Sequence, residues 1–163
     1  MKQQKALALM AGCAWMAVAV LAGCRTPVQE ASFARPFDAQ RVTQLSHEAY
    51  QVAWDATFWA RHDLRFAAFR PTVVDYEAVS YLTEITRRVP WVARNVEKNP
   101  ASPRISSKTA YDAIAWDTRM LRLRYQPASF RPSTDAKIDH LLTLLDQLAP
   151  YYTFHKSGSN GPE

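Results

Sequence analysis

Glycine is nearly missing from this chain. Of 163 residues only Gly12, Gly23, Gly158 and Gly161 are glycine, so the stretch from 24 to 157 has none. That excludes phosphate-cradling glycine loops and the Gly-x-Ser-x-Gly nucleophile elbow, both of which need backbone that a Cβ obstructs. Cysteine is equally scarce. Cys13 and Cys24 are the only two, too few for a disulfide framework and wrongly placed for a Cys-x-x-Cys-His haem motif. The four histidines, His47, His62, His140 and His155, include no pair at helical i, i+3 or i+4 spacing. No Glu-x-x-His repeat occurs, so the di-iron bundle pattern is missing. These absences leave no catalytic residue, no cofactor and no metal site to nominate. A long apolar run is also lacking: the best, Ala6 to Ala22, contains Gly12 and Cys13 and is short for a membrane span.

That run has a meaning of its own. Lys2 and Lys5 precede it, and small residues close it at Leu21-Ala22-Gly23-Cys24, the layout of a secretory signal over residues 1–23. The ending resembles the lipobox of bacterial lipoproteins. The resemblance covers the leader alone. It implies that the Cys24 thiol receives a diacylglycerol, that the signal is cut before it, and that the new amino group is acylated, with palmitate a usual chain. Met10-Ala11-Gly12-Cys13 ends alike, but a cut there leaves almost no apolar segment upstream. Two or more acyl chains hold a protein firmly at a bilayer, at about 0.8 kcal/mol per buried methylene. Arg25, rather than Asp, follows Cys24; in that family this favours the periplasmic face of the outer membrane.

The mature chain is of single-domain length. It carries 18 basic and 15 acidic residues once Lys2 and Lys5 are gone, a net charge of +3 against +5 for the whole. So mild an excess suits an anionic membrane surface and gives no reason to expect nucleic acid. Residues 24–36 lack apolar periodicity and read as a lipidated tether. Four helices follow over 37–155. Asp38 caps the first, whose stripe is Val42, Leu45, Ala49, Val52, Ala56 and Ala60, running to about Ala68 before Pro71. The second starts at Asp75 with Ala78, Leu82, Ile85, Val89, Val92 and Val96, kinked at Pro90. Ser102 and Pro103 open the third, with Ala110, Ala113, Ile114, Met120 and Leu121 on one face. Ser133 caps the fourth, whose seam is Ile138, Leu141, Leu145, Leu148 and Tyr152. Residues 156–163 read as a disordered tail.

The helices fall into two similar halves, about 38–98 and 104–155. Ala49-Tyr50 recurs as Ala110-Tyr111, Ala53-Trp54-Asp55 as Ala115-Trp116-Asp117, and Phe69-Arg70-Pro71-Thr72 as Phe130-Arg131-Pro132-Ser133. Asp75 answers Asp135, Leu82 and Ile85 answer Leu142 and Leu145, and Val89-Pro90-Trp91 answers Ala149-Pro150-Tyr151. The offsets stay between 60 and 62. The fold expected is all-α, an up-down-up-down four-helix bundle of two tandem hairpins related by a pseudo-twofold axis, with sequential helices as antiparallel neighbours. Trp54 and Pro90 lie at similar distances from their turn, as do Trp116 and Pro150. Each indole is expected to pack into a proline kink and serve the carbonyl that the proline frees.

Asp117 falls within the apolar face of the third helix and Arg124 two turns later on the same stripe, which makes them the candidate buried polar site. Arg104, Lys108, Arg119 and Arg122 share a basic face. Trp59, Trp91, Tyr151, Tyr152 and Phe154 exceed what a small core needs, and exposed aromatics often mark partner sites. The expectation is a membrane-anchored, non-enzymatic envelope module that binds a protein. An inhibitor or immunity-type lipoprotein, or a small-ligand carrier with its site in the core near Asp117, are the alternatives.

Overall fold

The computed structural model describes residues 33–66 and 71–154. The signal, the lipobox, Cys24, the turn residues Phe69 and Arg70, and the tail from 156 lie outside them. Among the described residues four helices make up the fold: α1 (Ala39–Phe66), α2 (Val73–Lys98), α3 (Pro103–Arg124) and α4 (Pro132–Leu148), with a 3-10 turn at Ala149–Tyr151. It is a four-helix bundle. Among the described residues no helix is long and apolar enough to cross a membrane.

Each start has a local cause. Asp38 accepts the Arg41 amide at 2.9 Å, so α1 is capped as its sequence indicates. Thr72 and Asp75 form a reciprocal capping box on α2: the Thr72 amide donates to Asp75 at 2.7 Å and the Asp75 amide to Thr72 at 3.4 Å. Pro103 and Pro132 occupy the first turns of α3 and α4, where the missing amide is harmless. Ser102 is the N-cap residue of α3, but its side chain makes no capping bond. Ser133 does not cap α4. The N-cap residue is Arg131, and the acceptor comes from the far end of α1: buried Asp63 takes the Arg131 amide at 3.0 Å and the Thr134 hydroxyl at 2.7 Å.

The periodic stripes become the core. Every residue named above for α2 and α4 is buried, as are those of α1 apart from half-buried Val52. Each such Leu or Ile contributes about 1.5–3 kcal/mol by leaving water. α2 packs along α1 on one side and α3 on the other, and α1 also packs against α4. The expectation that all sequential helices are close neighbours fails for α3 and α4, whose backbones scarcely approach. Side chains tie α3 to the residue after the 3-10 turn instead: Tyr111 stacks on Tyr152 with centroids 4.2 Å apart, and Ser107 shares a 2.7 Å hydrogen bond with the Tyr152 hydroxyl.

The two halves explain that difference. With a shift of 61, the buried positions Ser46, Ala53, Ala56, Thr57 and Ala60 of α1 fall on buried Ser107, Ile114, Asp117, Thr118 and Leu121 of α3. Three alanines are thus exchanged for larger side chains, and interaxial distance follows the side chains at the contact. With a shift of 60, Ala78, Leu82, Ile85 and Val92 of α2 fall on Ile138, Leu142, Leu145 and Tyr152. The Ala-Trp-Asp triplets, however, match at 62. Both helices run unbroken through this region, so one residue of slip turns a side chain by about 100°. Asp117 therefore stands where α1 has Ala56, not Asp55, and Trp116 does not stand where α1 has Trp54.

The chain entry is also held. The tether was expected to end at residue 36, yet Phe33 already stacks on Phe154 at 4.5 Å and the Ala34 amide donates to the Thr153 carbonyl at 2.8 Å. Arg104 lies over the Phe33 ring at 3.9 Å and donates to the Arg35 carbonyl at 2.9 Å. It is buried, so it leaves the basic face expected of α3.

Candidate functional site: an aromatic and cationic groove on α1 and α2

Helix α1 has a second stripe that the core does not use. Tyr50, Trp54, Phe58, His62 and Phe66 recur every fourth residue, a spacing that keeps them on one face. Trp54 is 53% exposed, Phe58 51% and Phe66 66%. Trp54 and Phe58 stack at 5.8 Å with planes 7° apart. Phe58 meets Trp59 edge-on, Trp59 meets His62, and His62 lies 4.6 Å from Phe66. The rings order one another along the helix surface and remain in water.

This file is one wall of a groove of about 670 Å³. Thr83, Thr86, Arg87 and Pro90 of α2 form the other wall, and Thr57, Arg61 and Arg65 of α1 complete the lining. The Thr57 and Thr86 hydroxyls bond each other at 2.9 Å, and Thr86 donates to the Leu82 carbonyl at 2.8 Å. Arg61 donates to Thr83 at 2.9 Å. Arg87 pairs with Glu84 at 2.6 Å. The lining thus contains three guanidinium groups and no carboxylate. Arg87 has a counter-ion close by; among the described residues Arg61 is held by a neutral hydroxyl.

A smaller groove of about 300 Å³ lies between α3 and α4, lined in part by Tyr111, Thr118, Arg119, Arg122, Leu145 and Asp146. Tyr50, Thr57 and Arg61 recur here as Tyr111, Thr118 and Arg122, all at 61. Thr86 is answered by Asp146 at 60. Both carboxylate oxygens of Asp146 accept from Arg122 Nη2, at 2.8 and 2.7 Å.

The other candidates fall out differently. Asp117 is buried, but Arg124 is not its partner. Seven residues of helix separate the two by about 10 Å along the axis, and Arg124 turns to Glu77 of α2 at 3.0 Å. Arg88 of α2 reaches Asp117 at 2.7 Å and Glu84 at 3.0 Å. Burial raises the Asp117 pKa, the Arg88 guanidinium lowers it and Glu84 raises it again, leaving it above the ordinary carboxylate value. Asp55 takes Lys137 at 3.4 Å nearer the surface.

Trp54 and Pro90 do line one groove, but no indole hydrogen bond to the freed backbone occurs among the described residues, and Trp116 is 58% exposed. α2 continues through Pro90 to Lys98. Pro150 interrupts no helix and sits in the 3-10 turn after α4. A direct indole bond to the freed carbonyl is thus not seen for either tryptophan among the described residues. Tyr151 and Tyr152 are buried; Trp59, Trp91 and Phe154 keep exposed surface. Lys108 pairs with Asp112 and Arg122 with Asp146, which leaves little of the expected basic face uncompensated. No group of three or more metal-ligating side chains occurs among the described residues. The four-residue aromatic spacing was visible in the sequence, but it is masked there by the apolar stripe beside it.

Comparison with family models, curated proteins and solved structures returned no match.

Proposed function

We propose that this chain is a lipid-anchored, non-catalytic protein-interaction module of a cell envelope, held at the membrane through Cys24 and docking a partner on the α1–α2 groove. The anchor rests on the lipobox at Leu21–Cys24 and the basic, apolar leader before it. Its place at the periplasmic face of an outer membrane rests on Arg25 in the second position of the mature chain. The observation that carries the docking role is the exposed aromatic file Tyr50, Trp54, Phe58 and Phe66, with Trp59 beside it. Large rings left in water on a rigid helix lose little conformational entropy on binding and bury much area, which is why they dominate partner surfaces. A ligand site in the core has less support, since Arg88 already pairs with Asp117 and neither groove described above is lined by that carboxylate.

The test is photo-crosslinking in living cells. A photoreactive residue in place of Phe58, in the full-length lipidated protein, should give a discrete protein adduct, and one in place of exposed Asp139 on α4 should not. No adduct from position 58, or the same adducts from both positions, contradicts the docking role.

A further inference from the structure

The two grooves are lined by matching positions of the two halves, and in one of them the arginine is already paired by the chain itself. Tyr50, Thr57 and Arg61 have identical counterparts in Tyr111, Thr118 and Arg122. Thr83, which holds Arg61, has an identical counterpart in Thr143, and both hydroxyls donate to the carbonyl four residues earlier. The exchange that changes the chemistry is Thr86 for Asp146. In the second half the carboxylate of Asp146 grips Arg122 through both oxygens. In the first half the matching position is a hydroxyl turned to Thr57 and Leu82, and Arg61 has no carboxylate in its groove.

We infer that the α1–α2 groove takes an acidic side chain from its partner onto Arg61, in the place that Asp146 fills for Arg122, with the apolar residues around that Asp or Glu lying on the Trp54–Phe58 stack. This deepens the docking role proposed above and rests on it. The second groove shows the contact wanted: one guanidinium nitrogen held by both oxygens of a carboxylate from the facing helix. The charge balance states which partner fits. Arg87 is paired with Glu84, but Arg61 and Arg65 also line the first groove and no acid does, so an acidic, apolar protein segment is drawn in and a basic one is repelled. In the second groove Asp146 already occupies Arg122, and the Phe58 and His62 positions are Arg119 and Leu123, so the aromatic stack is missing there.

The closing experiment uses the position-58 crosslink in full-length protein in its own membranes. Thr86→Asp supplies the carboxylate in cis and should lower adduct yield at least fivefold, whereas Thr86→Asn, similar in size but uncharged, should keep most of it. Arg61→Leu, at an exposed position that the core does not need, should lower the yield as Thr86→Asp does; it guards against loss of fold at Thr86, which thermal melts of each variant also monitor. Sequencing of the crosslinked partner peptide should find Asp or Glu within one helical turn of the attachment point, flanked by apolar residues. Undiminished adduct in both folded Thr86→Asp and Arg61→Leu, or a basic attachment peptide, overturns the inference while leaving the docking role intact. Absence of any adduct from the parent at position 58 removes both.

Discussion

Asp63 joins two distant parts of the chain through one carboxylate. It accepts the Arg131 amide and the Thr134 hydroxyl, and Arg131 Nε lies 3.2 Å from its other oxygen. Asp63→Ala should cost about 2–3 kcal/mol in denaturant melts, since a cap is lost and buried donors are left without an acceptor. Ser133→Ala, at an exposed position that caps nothing, should stay within about 0.5 kcal/mol. Ala128 has φ 71°, a left-handed conformation that a Cβ opposes by about 1–2 kcal/mol. In a folded region without glycine, Ala128→Gly should raise stability by several tenths of a kcal/mol to about 1, the relief exceeding the added freedom of the unfolded chain. Asp117 and Asp75 should respond oppositely to pH. Burial lifts the folded pKa of Asp117 above its ordinary 3.8, so its contribution is largest below that value and falls as pH rises through the raised one. For Asp75 burial also acts upward, but bonds from the Thr72 amide, the Thr72 hydroxyl and Ser129 outweigh it and leave the pKa lowered. Its contribution is present above 3.8 and lost as pH falls through the folded value. In melts between pH 3 and 7, Asp117→Asn should therefore gain on the parent protein as pH rises, and Asp75→Asn should fall behind.

At the scale of the element, α1 is a helix with two working faces. Its alanines meet the core and its aromatics meet water. Ala56→Leu, which enlarges a fully buried position, should cost about 1–3 kcal/mol through overpacking. Trp54→Phe should change stability by less than about 0.5 kcal/mol, because that ring is half exposed and its nitrogen bonds nothing among the described residues. The stripes of α2 and α4 were legible because three- and four-residue spacing of Leu, Ile and Val has one reading. The cap on α4 was not, because Asp63 lies 68 residues from Arg131 and looks in sequence like one more charged residue near a helix end. Nor was the pairing of Asp117: periodicity places a carboxylate on a face but says nothing of which helix brings its counter-ion. The Ala-Trp-Asp triplets match at 62, whereas the buried positions of α1 and α3 match at 61, as do Tyr50, Thr57 and Arg61; burial follows the helix angle and not the identity of a triplet.

At the scale of the whole molecule, the proposed anchor and the proposed docking role would support each other. A domain tied to a bilayer searches for its partner in two dimensions, and a rigid aromatic strip then needs only modest affinity. Cys24→Ser should leave an unprocessed precursor without lipid label, checked by metabolic labelling with a radioactive fatty acid and by gel mobility. A normally cleaved and still detergent-requiring protein would remove the lipid anchor. The central claim, that the fold leaves the α1 face bare for a partner, is tested most directly by hydroxyl-radical footprinting of the full-length protein in intact cells and, purified, in protein-free vesicles of the same lipids. Trp54 and Phe58 should be oxidised several-fold more slowly in cells than in vesicles, while Trp116, comparably exposed at 58%, should react alike in both. Equal oxidation of Trp54 and Phe58 in the two settings would contradict it.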